Sequence, residues 1–310
     1  GPYEVDPENP MLRSSDTEEA YLHKCGHADL VETKNGEWYV VHLCSRPRKG
    51  EKACLLGRET AIQKVYWNED GWLRVYHGGY NAARFVENQK GIKEHKFKEE
   101  LMAYKVMDDF NENKLGIHYV SPRIPLGEYA DLEARKGYLR LIGRESMNSL
   151  HQVSLLALKQ SAVNAEAETS LEFAPKHPEQ VAGLAYMYDA MNFYIFGKTV
   201  DEEGKALLTL IKSVWGEVTD SMSPIYLEKN DKVYLKARTI EEGALVQFYY
   251  SYNGEDWRKA GELRDTYILT DHHCRGFTGA HFGIYCHDMT GLKLYADFDY
   301  FSYENYESSI

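Results

Sequence analysis

Arg58 stands in the run Leu56-Gly57-Arg58-Glu59-Thr60. A planar guanidinium there offers forked donors to adjacent hydroxyls, and it can lower the pKa of a neighbouring carboxylate. On the residues alone, a structural Arg–Glu pair with Glu59 is the simpler reading. His27, in Gly26-His27-Ala28-Asp29, is a lone imidazole. Calcium prefers oxygen ligands, so His27 by itself is a weak metal signal, and a satisfied buried histidine is the plain alternative. Phe277, in Gly276-Phe277-Thr278-Gly279-Ala280, could present its ring as an apolar contact surface that excludes water. Its plain alternative is a core Phe at the start of a strand.

Other clusters have blander readings. His272-His273-Cys274 looks like a metal set, but neighbours on a strand point to opposite faces, so zinc is not expected. Asp288, Asp297 and Asp299 could hold calcium, yet solvated turns and strand edges explain them more simply. Arg46-Pro47-Arg48-Lys49-Gly50 reads as a solvated basic turn. Gly183 and Gly204 belong to no phosphate-binding pattern. The cysteines are Cys25, Cys44, Cys54, Cys274 and Cys286, an odd number with no CxxC spacing. They are expected to be reduced and mostly buried, as in a cytoplasmic protein; a Cys44–Cys54 disulfide is the alternative.

The chain has 310 residues and a net charge of −12. That charge disfavours nucleic acid and anionic membranes, but not a neutral sugar polymer. No apolar run is long enough for a membrane helix, and no signal peptide opens the chain. Gly1-Pro2 fits a tag scar, a processed start or a piece of a longer protein.

The elements that must carry these residues are strands. Tyrosine is abundant, at 24 residues, and period-two alternation recurs. Val233, Leu235 and Ala237 share one face, as do Phe282, Ile284 and Cys286, and Leu294, Ala296, Phe298 and Tyr300. Tyr252-Asn253-Gly254-Glu255 predicts a type I′ hairpin turn. The first 78 residues hold four strand candidates, Ala28–Thr33, Glu37–Cys44, Glu59–Trp67 and Trp72–Tyr76. Four antiparallel strands make one propeller blade, too small to stand alone, and Trp38, Trp67 and Trp72 would be left largely uncovered. Residues 79–104 are polar and read as a linker. Roughly ten further strands fill the remainder, which suits a sandwich.

The ordered set of motifs is more specific than any one of them. Gly26-His27-Ala28-Asp29-Leu30-Val31-Glu32-Thr33, Asn35-Gly36-Glu37-Trp38-Tyr39, and Leu56 to Val65 followed by Asp70-Gly71-Trp72 form one group. Gly137 to Leu141, Gly143-Arg144-Glu145-Ser146, Ala167-Glu168-Thr169, Phe277 to Ala280 and Ala296 to Phe301 form a second. Together they resemble the C-terminal portion of glycoside hydrolase family 43 β-xylosidases. The resemblance implies an all-β chain. Residues 1–78 would be the last part of a five-bladed propeller, and 105–310 a concanavalin-A-like β-sandwich.

Members of this family hydrolyse glycosides with inversion, using one carboxylate as general base and a carboxyl as general acid. Inversion separates the two by roughly 6.5–9.5 Å to admit a water. In the family these groups lie in earlier blades, so the resemblance implies no catalytic residue in this chain. What carries over is a sugar-binding shell. Arg58 matches the arginine that binds the terminal xylose. Phe277 matches a sandwich phenylalanine that closes the sugar pocket and favours exo-action. His27 matches a histidine at the propeller axis that helps hold calcium, mostly through water.

Two departures stand out. Only eight residues separate Pro47 from Leu56, fewer than in many relatives, and His281 replaces a more usual apolar residue. The resemblance therefore predicts part of an exo-β-1,4-xylosidase acting on xylo-oligosaccharides, with α-L-arabinofuranosidase side activity. Its partners would be a separate or preceding N-terminal propeller portion and further copies of itself. The alternative is a non-catalytic carbohydrate-binding or oligomerising sandwich.

Overall fold

The computed structural model describes residues 2–14, 20–48, 50–77, 79–87, 104–228 and 232–306. Most of the predicted linker over 79–104 lies outside the described residues.

The first unit is a meander of four antiparallel strands: β1 (His23–Glu32), β2 (Trp38–Ser45), β3 (Glu59–Trp67) and β4 (Leu73–Val75), paired in that order. Alternation drives β2, where Val40 and His42 are almost fully buried. The first strand starts earlier than its apolar pattern predicts. It is irregular between His23 and Asp29, and Lys24 and His27 take left-handed φ values of 55° and 47°. A bulge breaks the period that sequence reading relies on.

Both faces of this blade carry exposed apolar side chains: Ile62 and Tyr66 lie on one face of β3 and Trp67 on the other, and the neighbours Leu30 and Val31 are exposed on β1. Trp38 and Trp72 are half-buried rather than largely uncovered. Part of the cover for Trp38 comes from Trp67, whose ring meets it edge-on at 5.8 Å.

The second unit is a two-sheet sandwich. Its seven-stranded sheet contains Gln180–Met187, Phe193–Val200 and His281–Asp288. Its eight-stranded sheet contains Ala165–Glu172, Lys232–Ile240 and Tyr295–Asn305. The predicted alternating faces meet between the sheets, with Val233, Leu235, Ala237, Phe282, Ile284, Cys286, Ala296 and Phe298 in one core.

Tyr300 departs from the predicted face. The register shifts between Phe298 and Tyr300, so Phe301 and Tyr303 turn inward instead. An inserted residue exchanges the two faces of a strand. The predicted type I′ turn is also corrected. Strands Leu245–Ser251 and Arg258–Asp265 are joined by a wider loop, and Asn253 is not left-handed. Its side chain accepts hydrogen bonds from Glu255 N at 3.0 Å and Asp256 N at 2.9 Å, stabilising a longer turn.

The two units are joined by the β2–β3 connection. Leu55 and Leu56 leave the blade and enter the sandwich core, with exposures of 0% and 1%. Burying two leucines contributes about 3–6 kcal/mol to that joint. Backbone bonds reinforce it: Ala280 N donates to Leu55 O at 2.7 Å, and Asp271 N to Cys54 O at 2.9 Å.

Candidate functional site

Ser45 ends β2, Arg58 precedes β3, and the segment Asp271 to Phe277 leads toward the strand His281–Asp288. The joint described above presses these pieces together. Arg58 N donates to Phe277 O at 2.9 Å. So close an approach leaves no room for side chains at the crossing. A Cβ on Gly57 would lie 2.5 Å from Phe277 O, and one on Gly279 would lie 2.5 Å from the Leu56 carbonyl carbon. Both glycines also have φ near +68° and +82°, where a side chain is strained.

Arg58 Nη1 donates to Asp271 Oδ2 at 2.6 Å and to Ser45 Oγ at 3.2 Å. Ser45 Oγ in turn donates to Gly57 O at 2.8 Å. Asp271 has a side chain only 1% exposed, and the Lys24 ammonium also pairs with its Oδ2. Its Oδ1 accepts from Cys54 N at 3.0 Å. A buried carboxylate is tolerable because two cations and an amide satisfy it. The Cys54 thiol beside it is pushed up to about 11, first by burial and then by the Asp271 charge.

The Phe277 ring lies 4.6 Å from the Arg58 guanidinium carbon and is 65% exposed. It is therefore not the core phenylalanine of the plain alternative. Arg58 and Phe277 form one surface: an apolar ring beside a cation whose orientation is held from beneath. Glu59 is not the partner of Arg58. It pairs with Arg46, Nη2 to Oε1 at 2.8 Å.

His27 stands apart from this pair. It is exposed, and it shares no hydrogen bond with Arg58 or Phe277. Among the described residues no three His, Cys, Asp or Glu side chains converge as metal ligands. A calcium ion at His27 would thus need ligands beyond those the described residues bring together there. Asp297 is engaged by Arg140 at 2.8 Å, and Lys232 pairs with Asp299. Asp288 accepts from Leu294 N at 2.7 Å.

His272, His273 and Cys274 sit on a short helical turn, Asp271–Cys274, not on a strand as expected. Thr270 Oγ1 caps it by accepting from His273 N. His281 opens a strand at a half-buried position, and burial pushes its imidazole down to about 4. All five cysteines are unpaired; Cys44, Cys54 and Cys286 are buried, while Cys25 and Cys274 are half-buried.

Sequence reasoning missed Asp271 and Lys24. Asp271 lay beside the histidines that drew attention, and nothing in its spacing pointed to Arg58. The left-handed Lys24 lies on a bulge that no alternation pattern reports.

The chain is thus of the class in which a meander blade leads into a two-sheet sandwich, here with an arginine and a phenylalanine clamped at their joint. Residues 107–304 match the family described as beta xylosidase C-terminal concanavalin A-like domain, and residues 1–73 match glycosyl hydrolases family 43. The chain belongs to glycosyl hydrolase family 43, as a C-terminal portion with the beta-xylosidase-type sandwich. It is 36% identical to a beta-xylosidase of Bacillus subtilis, over 98% of this chain and 58% of that protein. A non-reducing end alpha-L-arabinofuranosidase of Bacteroides ovatus is 28% identical, over 98% of this chain and 55% of that protein. The crystal structure of a xylan beta-1,4-xylosidase from Bacillus halodurans superposes with a TM-score of 0.90 at 40% identity, covering 98% of this chain and 58% of that one. The chain thus spans somewhat over half the length of the relatives it matches.

Proposed function

We propose that this chain supplies the sugar-binding shell of an inverting exo-β-1,4-xylosidase. The whole enzyme would release xylose from xylo-oligosaccharides, with α-L-arabinofuranosidase side activity. The observation that carries the reading is the Arg58–Phe277 pair, an exposed ring 4.6 Å from a guanidinium held by buried Asp271. The forked guanidinium donates to vicinal hydroxyls, while the ring covers the C–H face and excludes water.

The general acid and base come from blades outside this chain, which would pack against the exposed apolar side chains of the blade, such as Ile62 and Tyr66. A calcium ion at His27 would need its remaining ligands from the same blades. Domain limits of 1–78, 79–104 and 105–310 follow from this reading. Association with further copies and a cytoplasmic location are part of it; the five unpaired thiols support a reducing compartment.

A chromogenic xyloside tests the proposal. The chain alone should not turn over the substrate, and the chain supplied with roughly 220 further N-terminal residues, about four blades, should. Arg58→Ala in the complemented enzyme should lower kcat/KM at least about 100-fold, as for a lost charged contact in the transition state. Turnover by the chain alone, or full activity of the alanine variant, would refute it.

A further inference from the structure

A second exposed aromatic surface lies on the same segment that carries Asp271 and Phe277, beyond the Arg58 cluster. Its centre is Trp215, 46% exposed, at the tip of the hairpin joining Ala206–Val214 to Glu217–Asp220. Val214 pairs directly with Glu217, so Trp215 and Gly216 form a two-residue turn. Their φ values are 53° and 84°. That is the left-handed geometry in which Asn-Gly is favoured and a bulky aromatic is strained. Strain of this kind persists only where the surroundings over-determine it, and it marks functional positions.

The surroundings do over-determine it. The fully buried Asn192 accepts from Trp215 N through Oδ1 at 3.1 Å. The same oxygen lies 3.1 Å from His273 Nε2. Gly216 N donates to Met191 O at 2.9 Å. The imidazole of His273 packs 5.1 Å from the Trp215 ring, and Tyr267 meets that imidazole edge-on at 5.7 Å. Arg275, exposed and itself left-handed at φ 54°, places its guanidinium carbon 5.8 Å from the Trp215 ring. Arg275 has no ion pair among the described residues.

We infer that Trp215, Tyr267, His273 and Arg275 form a binding platform for a neutral β-1,4-linked pyranose chain, distinct from the Arg58–Phe277 pair. The inference rests on the proposed function only for its substrate class. A flat ring at a fixed height suits the flat face of a pyranose, and an unpaired guanidinium beside it donates to ring hydroxyls. The net charge of −12 disfavours a polyanion as the occupant. Only Gly276 separates Arg275 from Phe277, so the platform and the Arg58–Phe277 pair are carried by one continuous segment.

Affinity electrophoresis of the chain through gels containing soluble xylan tests this. The parent chain should be retarded. Trp215→Ala and Trp215→Asn should each weaken retention about ten-fold, and Arg275→Ala about three-fold, the scale expected for one stacked ring and one donor. Asparagine accepts the turn geometry, so Trp215→Asn should melt no lower than the parent while losing retention, which separates binding from unfolding. Phe277→Ala should stay retarded, although it impairs turnover in the complemented enzyme. No retardation of the parent, or parent-like retardation of Trp215→Asn, would overturn the inference. A fall in particle mass on Trp215→Asn, measured by light scattering, would also overturn it, because the surface would then be a contact between copies. Trp215-dependent retention with no xyloside turnover by the complemented enzyme would sink the proposed function and leave the platform standing.

Discussion

Arg58 and Asp271 lie 213 residues apart in the chain and 2.6 Å apart in space. The contact joins the blade to the sandwich, and it makes the sandwich the part that aims the blade's guanidinium. Asp271 is satisfied by Lys24, Arg58 and Cys54 N together, so its loss leaves two cations without their counter-charge.

Asp271→Ala should therefore destabilise the chain by about 3 kcal/mol, the scale for removing one member of a buried pair. Urea denaturation followed by fluorescence measures this. The double variant Asp271→Ala with Arg58→Ala should lose less than the two single losses added together, because the pair couples directly. Additive losses would mean that the contact carries no coupling.

Phe277→Ala should behave in the opposite way. The ring is 65% exposed, so its removal should change stability by no more than about 0.5 kcal/mol. Its effect should appear in the complemented enzyme, as weaker sugar binding or slower turnover. A large drop in melting temperature would show the ring to be structural.

Gly57→Ala should separate the two loops. Its Cβ would sit 2.5 Å from Phe277 O, against backbone that cannot rotate away, and φ there is +68°. Clash and backbone strain together should cost about 3 kcal/mol or more. Hydrogen exchange at the amides of Arg58 and Ala280 should then accelerate more than exchange within the sandwich core. Unchanged protection at those amides would contradict the close crossing.

Stability should fall on acidification below about pH 6.5. Burial holds the imidazoles of His281 and His287 down at about 4, against an ordinary value of 6.5. Between those limits the unfolded chain binds protons that the folded chain refuses, so folding stability is full above about 6.5 and is lost as pH falls toward about 4. A pH series of melting curves should show this slope. Replacing both histidines by glutamine should flatten it, whereas an unchanged slope would place the titration elsewhere.

The strands that carry the core were legible because alternation reports burial directly: Val233, Leu235 and Ala237 point inward as their spacing requires. Arg58 and Phe277 were legible only through the motifs around them, and the ion-pair partner first assigned to Arg58 was the neighbour in sequence, Glu59. Proximity along the chain is a poor guide in a β protein, where neighbours in space come from pairing across sheets. Bulges hid Lys24 and displaced Tyr300 from its expected face, since one extra residue inverts a period of two.

Local pattern thus determined the all-β class, and the ordered motifs the blade and the sandwich. Only the tertiary structure decided that Leu55 and Leu56 anchor the blade in the sandwich, that Asp271 holds Arg58, and that Trp215 is pinned in a left-handed turn. The reason is that hydrophobic periodicity reflects each residue's own burial. Ion pairs and close backbone crossings depend instead on how two distant segments are brought together.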